Sequence, residues 1–340
     1  MGRKSMIETS ISYYIPRFFT DYIPKQRSLS PNTVKSYRDT VILLLNYFED
    51  QLHLKPEKLT YSDFTSSNIE GFLNWLEESR NVSVSTRNQR LAAIHAFFRY
   101  IQYKEPAAFD HCKEVLSVPY KKSAAKPMNY LSLEEIRILL ALPDQKTVSG
   151  IRDMAILTLL YETGARVQEL IDLTPQSFQE RPVITVELHG KGDKTRLIPL
   201  NREAYAIIKS YITQHRRTNK TEPLFVNRTG QKLTRAGIQY VIDKYVVLAR
   251  EASPGLFTKR ITNHSFRHSK AMHLLEAGVN LIYIRDFLGH VSVTTTEIYA
   301  KTNPKIKEEL LLKNSPTLES RKRYSDKQKE DLIQWLRKNL

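Results

Sequence analysis

His264-Ser265-Phe266-Arg267-His268, then Leu288-Gly289-His290, then Ile298-Tyr299 stand in that order within one stretch of 36 residues. Upstream come Thr163-Gly164-Ala165-Arg166-Val167-Gln168-Glu169-Leu170 and Gly190-Lys191-Gly192-Asp193-Lys194-Thr195-Arg196. Breaking a phosphodiester with a protein nucleophile requires an oxyanion, neutralisation of a pentacoordinate phosphorus and a proton for the leaving oxygen. Where no metal ion is used, cationic side chains carry the charge. Two arginines, a lysine, two histidines and a tyrosine supply those parts.

Each residue has a role set by its chemistry. Tyr299, one of 18 tyrosines, is set apart by its place nine residues after His290. It is the candidate nucleophile, and its phenol, with an ordinary pKa near ~10, needs an acceptor or a positive field. Arg166 and Arg267 each offer a planar fork to nonbridging phosphate oxygens. Lys191 sits between glycines in a hairpin turn, where the tip can approach another backbone closely and act as general acid; Lys194 is its nearest competitor. His264 and Arg267, three apart, share a face of a helix beginning near Asn263, whose N-terminal end favours an anion. His264 takes the tyrosine proton or donates to the phosphate, and His290 donates to a nonbridging oxygen. His268 and His273 are read as structural, on other faces. Glu169 either orients Arg166 as a supporting carboxylate or forms an ordinary helix ion pair.

Working outward, 340 residues imply two domains. Lys and Arg number 52 against 36 for Asp and Glu, a net charge of +16 that points to a polyanion. The charge is spread: residues 1–126 hold 18 basic and 13 acidic residues, and residues 127–340 hold 34 and 23. Cys112 is the sole cysteine, which rules out an intramolecular disulfide and suits a reducing compartment; it is read as a small apolar core residue. The first residues lack an apolar signal core and no run approaches ~18 apolar residues, so a cytoplasmic protein without membrane contact is expected. There is no G-x-x-x-x-G-K-[ST], no H-E-x-x-H and no zinc-spaced Cys/His cluster; no cofactor and no metal are expected.

Helical periodicity fills the first 105 residues. Val34, Tyr37, Val41, Leu44 and Phe48 follow the Ser30 cap and Pro31. Ile69, Phe72, Leu73 and Leu76 mark a second helix. A third starts at Ser85 with Leu91, Ile94, Phe98 and Ile101 inward, and residues 8–24 form one more, broken at Pro24. Residues 117–130 carry no apolar period and read as a linker. Beyond them, Ser132-x-x-Glu135 is a capping box, residues 151–170 a long buried helix, and V-I-T-V-E-L with T-R-L-I-P-L a hairpin. Helices follow near 202–217, 234–251, 264–277 and 280–288. A basic R-K-R stretch precedes an amphipathic helix capped by Ser325, with Leu332, Trp335, Leu336 and Leu340 on one side. The fold class is α+β, mostly helical, with helices around a small antiparallel sheet in the second half.

Taken together, T-G-A-R-V-Q-E-L, G-K-G-D-K-T-R-L-I-P-L, H-S-F-R-H and L-G-H-x₈-Y closely resemble the tyrosine recombinase (integrase) family, especially Xer-like and transposon-encoded members. The resemblance spans roughly 131–313. L-S-P-N-T-V-K-S-Y and S-V-S-T-R-N-Q-R-L-A-A-I-H-A-F-F-R-Y are similar to the family's core-binding domain. It implies a helical, SAM-like core-binding domain at 1–116, a linker at 117–130, a catalytic domain at 131–313 and a basic extension at 314–340. It also implies that Tyr299 forms a 3′-phosphotyrosyl link, surrounded by Arg166, Lys191, His264, Arg267 and His290 and supported by Glu169. The implied partners are double-stranded DNA with inverted-repeat core sites and a homotetramer on that DNA, monomeric or dimeric when free, with accessory proteins; strands pass through a Holliday junction. Residues 305–313 fit the family helix that docks on a neighbouring subunit. H-S-F-R-H replaces the more usual H-x-L-R-H, and the extension past 314 exceeds that of a minimal Xer-like protein. Arg87, Arg90, Arg235 and Lys259 are the candidate DNA contacts. A type IB topoisomerase-like nicking and rejoining enzyme, or a DNA-binding regulator without catalysis, remains the alternative. Lone nick-and-relax activity distinguishes the first, and an incomplete residue set the second.

Overall fold

The computed structural model describes residues 10–27, 29–122, 128–180, 182–190, 194–215, 219–290, 292, 296–299 and 326–339. Lys191, the centre of the expected linker, the 305–313 segment, the R-K-R stretch, Ser325 and Leu340 lie outside them. The chain divides into two compact units, Met1–Lys126 and Pro127–Leu340.

In the first unit, α1 (Ile11–Arg17) runs into a π-wound segment, Phe18–Arg27, that passes through Pro24. The sequence places a break at this proline. The wider winding carries the chain past a residue with no N–H to give. Helix α2 (Pro31–Leu52) begins at Ser30, whose hydroxyl accepts from the Thr33 N–H, and buries Val41, Leu44 and Phe48. Helix α3 (Ser66–Arg80) buries Ile69, Phe72, Leu73 and Leu76. Helix α4 (Val84–Lys104) is capped by Ser83, so it starts slightly ahead of Ser85. Its second half is buried on most sides, through Leu91, Ile94, Phe97, Phe98, Tyr100 and Ile101, as suits a central helix. A further helix, α5 (Phe109–Ser117), was not anticipated; it seats Cys112 and Val115 in the same core. Cys112 is fully buried and its thiol is pushed up to about 11 by desolvation. Phe48 stacks on Phe64 at 4.5 Å between centroids.

The second unit opens with α6 (Leu133–Ala141). Its capping box is closed from both sides: Ser132 Oγ accepts from the Glu135 N–H and Glu135 Oε2 from the Ser132 N–H. Helix α7 (Val148–Thr163) lies at the centre of this core. The expected helix over 151–170 is not continuous. Gly164 adopts φ +55 and closes α7, and a short helix, α8 (Val167–Ile171), starts afresh after Arg166. A Cβ at position 164 would also sit 3.1 Å from Leu288 Cδ2.

A three-stranded antiparallel sheet follows in the order β1 (Phe178–Gln179), β2 (Thr185–His189), β3 (Thr195–Pro199). Its register pairs Val186 with Ile198 and Leu188 with Arg196. Side chains alternate between faces along a strand, so Arg196 shares the face of buried Ile198 and Leu188. Helices α9 (Arg202–Gln214), α10 (Arg235–Ala252), α11 (Asn263–Glu276) and α12 (Leu281–Leu288) complete the layer, followed by a helical turn at 296–299. The last helix, α13 (Asp326–Asn339), presents Leu332, Trp335 and Leu336 exposed. Among the described residues no helix is long and apolar enough to cross a membrane.

Candidate active site

The α7–α8 junction places the first arginine. Because α7 stops at Gly164, Arg166 becomes the N-cap residue of α8, and its own N–H donates to Glu169 Oε2 at 2.8 Å. Its Nη1 donates to Glu169 Oε1 at 2.7 Å and its Nη2 to the carbonyl oxygen of Gly289 at 3.1 Å. The carboxylate therefore holds the arginine through main chain and side chain together, and the guanidinium reaches across to the end of α12.

Glu169 has a second partner that the sequence reading passed over. Arg196 donates to Glu169 Oε1 at 3.0 Å and Oε2 at 2.7 Å, and its Nε donates to the Phe287 carbonyl at 2.9 Å. Burial alone would push the Glu169 carboxyl up; the bonds and charge of Arg196, then those of Arg166, outweigh it and hold the group below the usual carboxylate range.

Arg267 lies in the first turns of α11 and is 3% exposed. Its Nη1 donates to Gly164 O and its Nη2 to Leu288 O, each at 2.6 Å. Burial, with the charges of Arg166 and Arg196 nearby, draws its pKa down to about 10, so it stays charged at neutral pH. His264 is exposed, yet desolvation of its ring lowers its pKa, with Arg267 and then Arg166 adding to the effect.

Gly289 ends α12 at φ +64 and turns the chain so that His290 faces the cluster. His290 Nδ1 lies 3.0 Å from Thr296 Oγ1, and the ring is parallel to that of Tyr299 at 6.5 Å. Burial first, then Arg267 and Arg166, brings His290 down to about 4.

Tyr299 is 1% exposed and packs with Ala271, Met272, Ile284 and Leu288. Its hydroxyl lies 3.0 Å from His268 Nδ1. Burial, His264 and Arg267 lower His268 to about 4, so its ring is neutral, and its tautomer sets which of the two groups donates. Desolvation raises the Tyr299 pKa, against the pull of Arg267 and Arg166.

Five of the six proposed catalytic positions, Arg166, His264, Arg267, His290 and Tyr299, thus fall in one electrostatically coupled cluster. For Lys191 only the flanks are described. Gly190 N–H donates to Lys194 O at 2.8 Å, and a Cβ on Gly190 would lie 3.3 Å from Glu169 Oε1, so the base of the turn abuts the site. His268 is a correction: it stands four residues after His264, one helical turn on, and so shares the site's face rather than another. His273, read as structural, bonds instead to Tyr161. Arg87 is a second correction. It is 7% exposed and donates to Pro119 O at 3.1 Å, because it continues the buried Leu91, Ile94, Phe98 stripe of α4. Arg90 is half-buried and ties α4 to α2 through Ser36 O and Thr40 Oγ1. Arg235 and Lys259 are exposed, with Arg235 Nε on Gln168 Oε1. Among the described residues no group of three or more His, Cys, Asp or Glu side chains is placed to hold a metal ion.

A buried phenol thus lies against a neutral histidine and in the field of two guanidiniums held by main-chain carbonyls. The protein class defined by this site on this fold is the strand-transferring tyrosine enzyme. Residues 129–305 match the phage integrase family, and residues 17–104 match the phage integrase N-terminal SAM-like domain. A putative integrase/recombinase, y4rC of Sinorhizobium fredii (strain NBRC 101917 / NGR234), is 36% identical over 307 residues, 90% of this chain and 92% of that protein. Tyrosine recombinase XerC of Myxococcus xanthus is 31% identical over 300 residues, 86% of this chain and 94% of its own. The Tn1549 transposon integrase in complex with transposon right end DNA shares the fold at TM-score 0.68 and 18% identity, covering 88% of this chain and 99% of that one. XerH site-specific recombinase bound to palindromic difH substrate does so at TM-score 0.67 and 22% identity, covering 83% and 80%. The chain belongs to the phage integrase family of tyrosine recombinases, and its activity class is site-specific recombination.

Proposed function

We propose that the chain cleaves and rejoins double-stranded DNA through Tyr299, with Arg166 and Arg267 on the nonbridging oxygens of the scissile phosphate. The phenolic oxygen attacks phosphorus, the bond to the 5′-oxygen breaks, and a 3′-phosphotyrosyl link remains. His264 or His268 takes the phenolic proton, His290 donates to the phosphate, and Lys191 delivers a proton to the leaving oxygen. The reverse attack by a 5′-hydroxyl releases the tyrosine, so no external energy source is consumed. Sites with inverted repeats would each take two copies, and a homotetramer would exchange strands pairwise through a Holliday junction, in the cytoplasm and with accessory proteins where the element requires them. Arg235 and Lys259, exposed on the second unit, are the remaining candidates for DNA contact.

One arrangement carries this reading: the Tyr299 hydroxyl lies 3.0 Å from Nδ1 of His268, the residue after Arg267 on α11, and its ring is parallel to that of His290 at 6.5 Å. The test is a nicked suicide DNA in which the released 5′ fragment diffuses away. Wild type should accumulate a covalent protein–DNA adduct, and Tyr299→Phe should bind the same DNA without forming one. Equal absence of adduct in both proteins sinks the proposal. Relaxation of supercoils by a monomer, with no exchange between two sites, would favour the topoisomerase alternative.

A further inference from the structure

Arg196 lies outside the recombinase roles assigned above, yet it makes three hydrogen bonds to the site's framework, as many as Arg166 does. It stands in β3, in the inward register with Ile198, directly opposite Leu188. An arginine on the core face of a sheet needs full hydrogen bonding, since an unpaired buried charge is costly. Arg196 obtains it from two places. Both its Nη atoms engage the carboxylate of Glu169, whose side chain is 3% exposed, and Nε engages the Phe287 carbonyl at the end of α12.

Two glycines make room for it. A Cβ on Gly289 would come 3.1 Å from Arg196 Nη1, 3.3 Å from Cδ and 3.4 Å from Cζ. A Cβ on Gly190 would lie 3.7 Å from Nη1 and 3.2 Å from Lys194 O. The guanidinium therefore passes between Gly190, at the base of the hairpin, and Gly289, the residue before His290, and ends on the carboxylate that bonds Arg166.

We propose that Arg196 is a positioning residue for strand cleavage, pinning the β2–β3 hairpin to the Arg166–Glu169 pair and to the His290 turn. Two consequences follow from its contacts. First, Gly190, the residue before Lys191, keeps a fixed register against Glu169. Second, Arg196 offsets the Glu169 charge, so that Arg166 retains a net positive charge for the phosphate. This rests on the recombinase reading of Tyr299 and Lys191.

Arg196→Lys keeps the charge and one donor group but cannot span both Glu169 oxygens and Phe287 O at once. We expect it to bind DNA within about two-fold of wild type and to melt cooperatively, while single-turnover cleavage falls on the order of 100-fold, the scale of a misplaced catalytic group. On a strand with a 5′-phosphorothiolate leaving group, which needs no proton, Arg196→Lys should recover a large part of its loss, as Lys191→Ala does. Wild-type cleavage by Arg196→Lys overturns the proposal. So does a loss that only tracks weakened folding or DNA affinity, which marks a purely structural arginine. Recovery of Lys191→Ala but not of Arg196→Lys overturns the hairpin route. Absence of adduct from wild type itself is a different result: it removes the recombinase reading, and the proposal with it.

Discussion

Glu169→Gln is the sharpest test of how this site is held together. The substitution keeps shape and volume and removes one charge. In the wild type, Oε1 accepts from Arg166 Nη1 and Arg196 Nη1, and Oε2 accepts from the Arg166 N–H and Arg196 Nη2. A carboxamide offers an acceptor at only one of those two positions. Whichever way it flips, two donors face an NH₂ group, and two guanidiniums lose their counter-charge. Breaking one side of a buried ion pair costs about 3–5 kcal/mol. At ~2–4 °C per kcal/mol for a unit of this size, the melting midpoint should fall by roughly 6–20 °C. Thermal and urea melts, read alongside single-turnover cleavage at a temperature where the variant is folded, measure both effects. The folded Glu169 pKa is depressed, so its stabilisation is present above the ordinary carboxylate pKa and lost as pH falls through the folded value. The gap between wild type and Glu169→Gln should therefore close in acid. A variant that melts with wild type at neutral pH would refute the claim that this carboxylate anchors the cluster.

Three further outcomes are expected. His268 and His290 have folded pKa values of about 4, below the ordinary ~6.5, so both favour the fold above ~6.5 and that contribution is lost as pH falls toward 4. Urea midpoints of wild type should decline across that window, and His290→Gln should flatten the slope; an unchanged slope counts against the buried neutral ring. Lys191→Ala should cleave an ordinary strand poorly and a 5′-phosphorothiolate strand well, and equal defects on both would remove its general-acid role. DNA affinity should fall steeply and linearly on a log–log plot against salt, and Arg235→Ala should lower that slope by about one if it meets a phosphate.

Much of the architecture could be read in advance because apolar period and caps carry local information. Ile69, Phe72, Leu73 and Leu76 declare a helix face, and Ser132 with Glu135 declares its start. The misreadings share one cause: they depend on register or on what packs from far along the chain. Arg87 falls on the Leu91, Ile94, Phe98 stripe, and that spacing was the available sign that it points inward. Arg196 alternates with Ile198 and Leu200, which puts a charge on the core face of a strand and marks it as exceptional. His268 follows His264 by one helical turn. The break at Gly164 was harder to see, because apolar residues continue on both sides and only a positive φ ends the helix there. The catalytic candidates were legible for the opposite reason: their chemistry is stated by residue type and short spacing, before any packing is known.

Steadying a cation usually invites a carboxylate, but a carboxylate also cancels the charge that a phosphate is meant to find. The site divides the two tasks. Arg267, more enclosed than Arg166, is bonded to Gly164 O and Leu288 O, carbonyls at the C-terminal ends of α7 and α12. Such carbonyls carry only partial negative charge, roughly half a unit per helix end. They fix the plane of the guanidinium while leaving most of its charge uncompensated. Arg166 takes a third carbonyl, that of Gly289, and shares a carboxylate with Arg196, so two full positive charges meet one negative charge there. That surplus adds to burial, the larger cause, in lowering His264, His268 and His290 in the free protein. An arriving phosphate diester brings one negative charge into that surplus. On the reading proposed above, that charge would offset the repulsion on the histidines and raise their proton affinity as the Tyr299 proton moves. The free protein would then keep Tyr299 protonated and buried, and the substrate would supply the electrostatic change that readies it for attack.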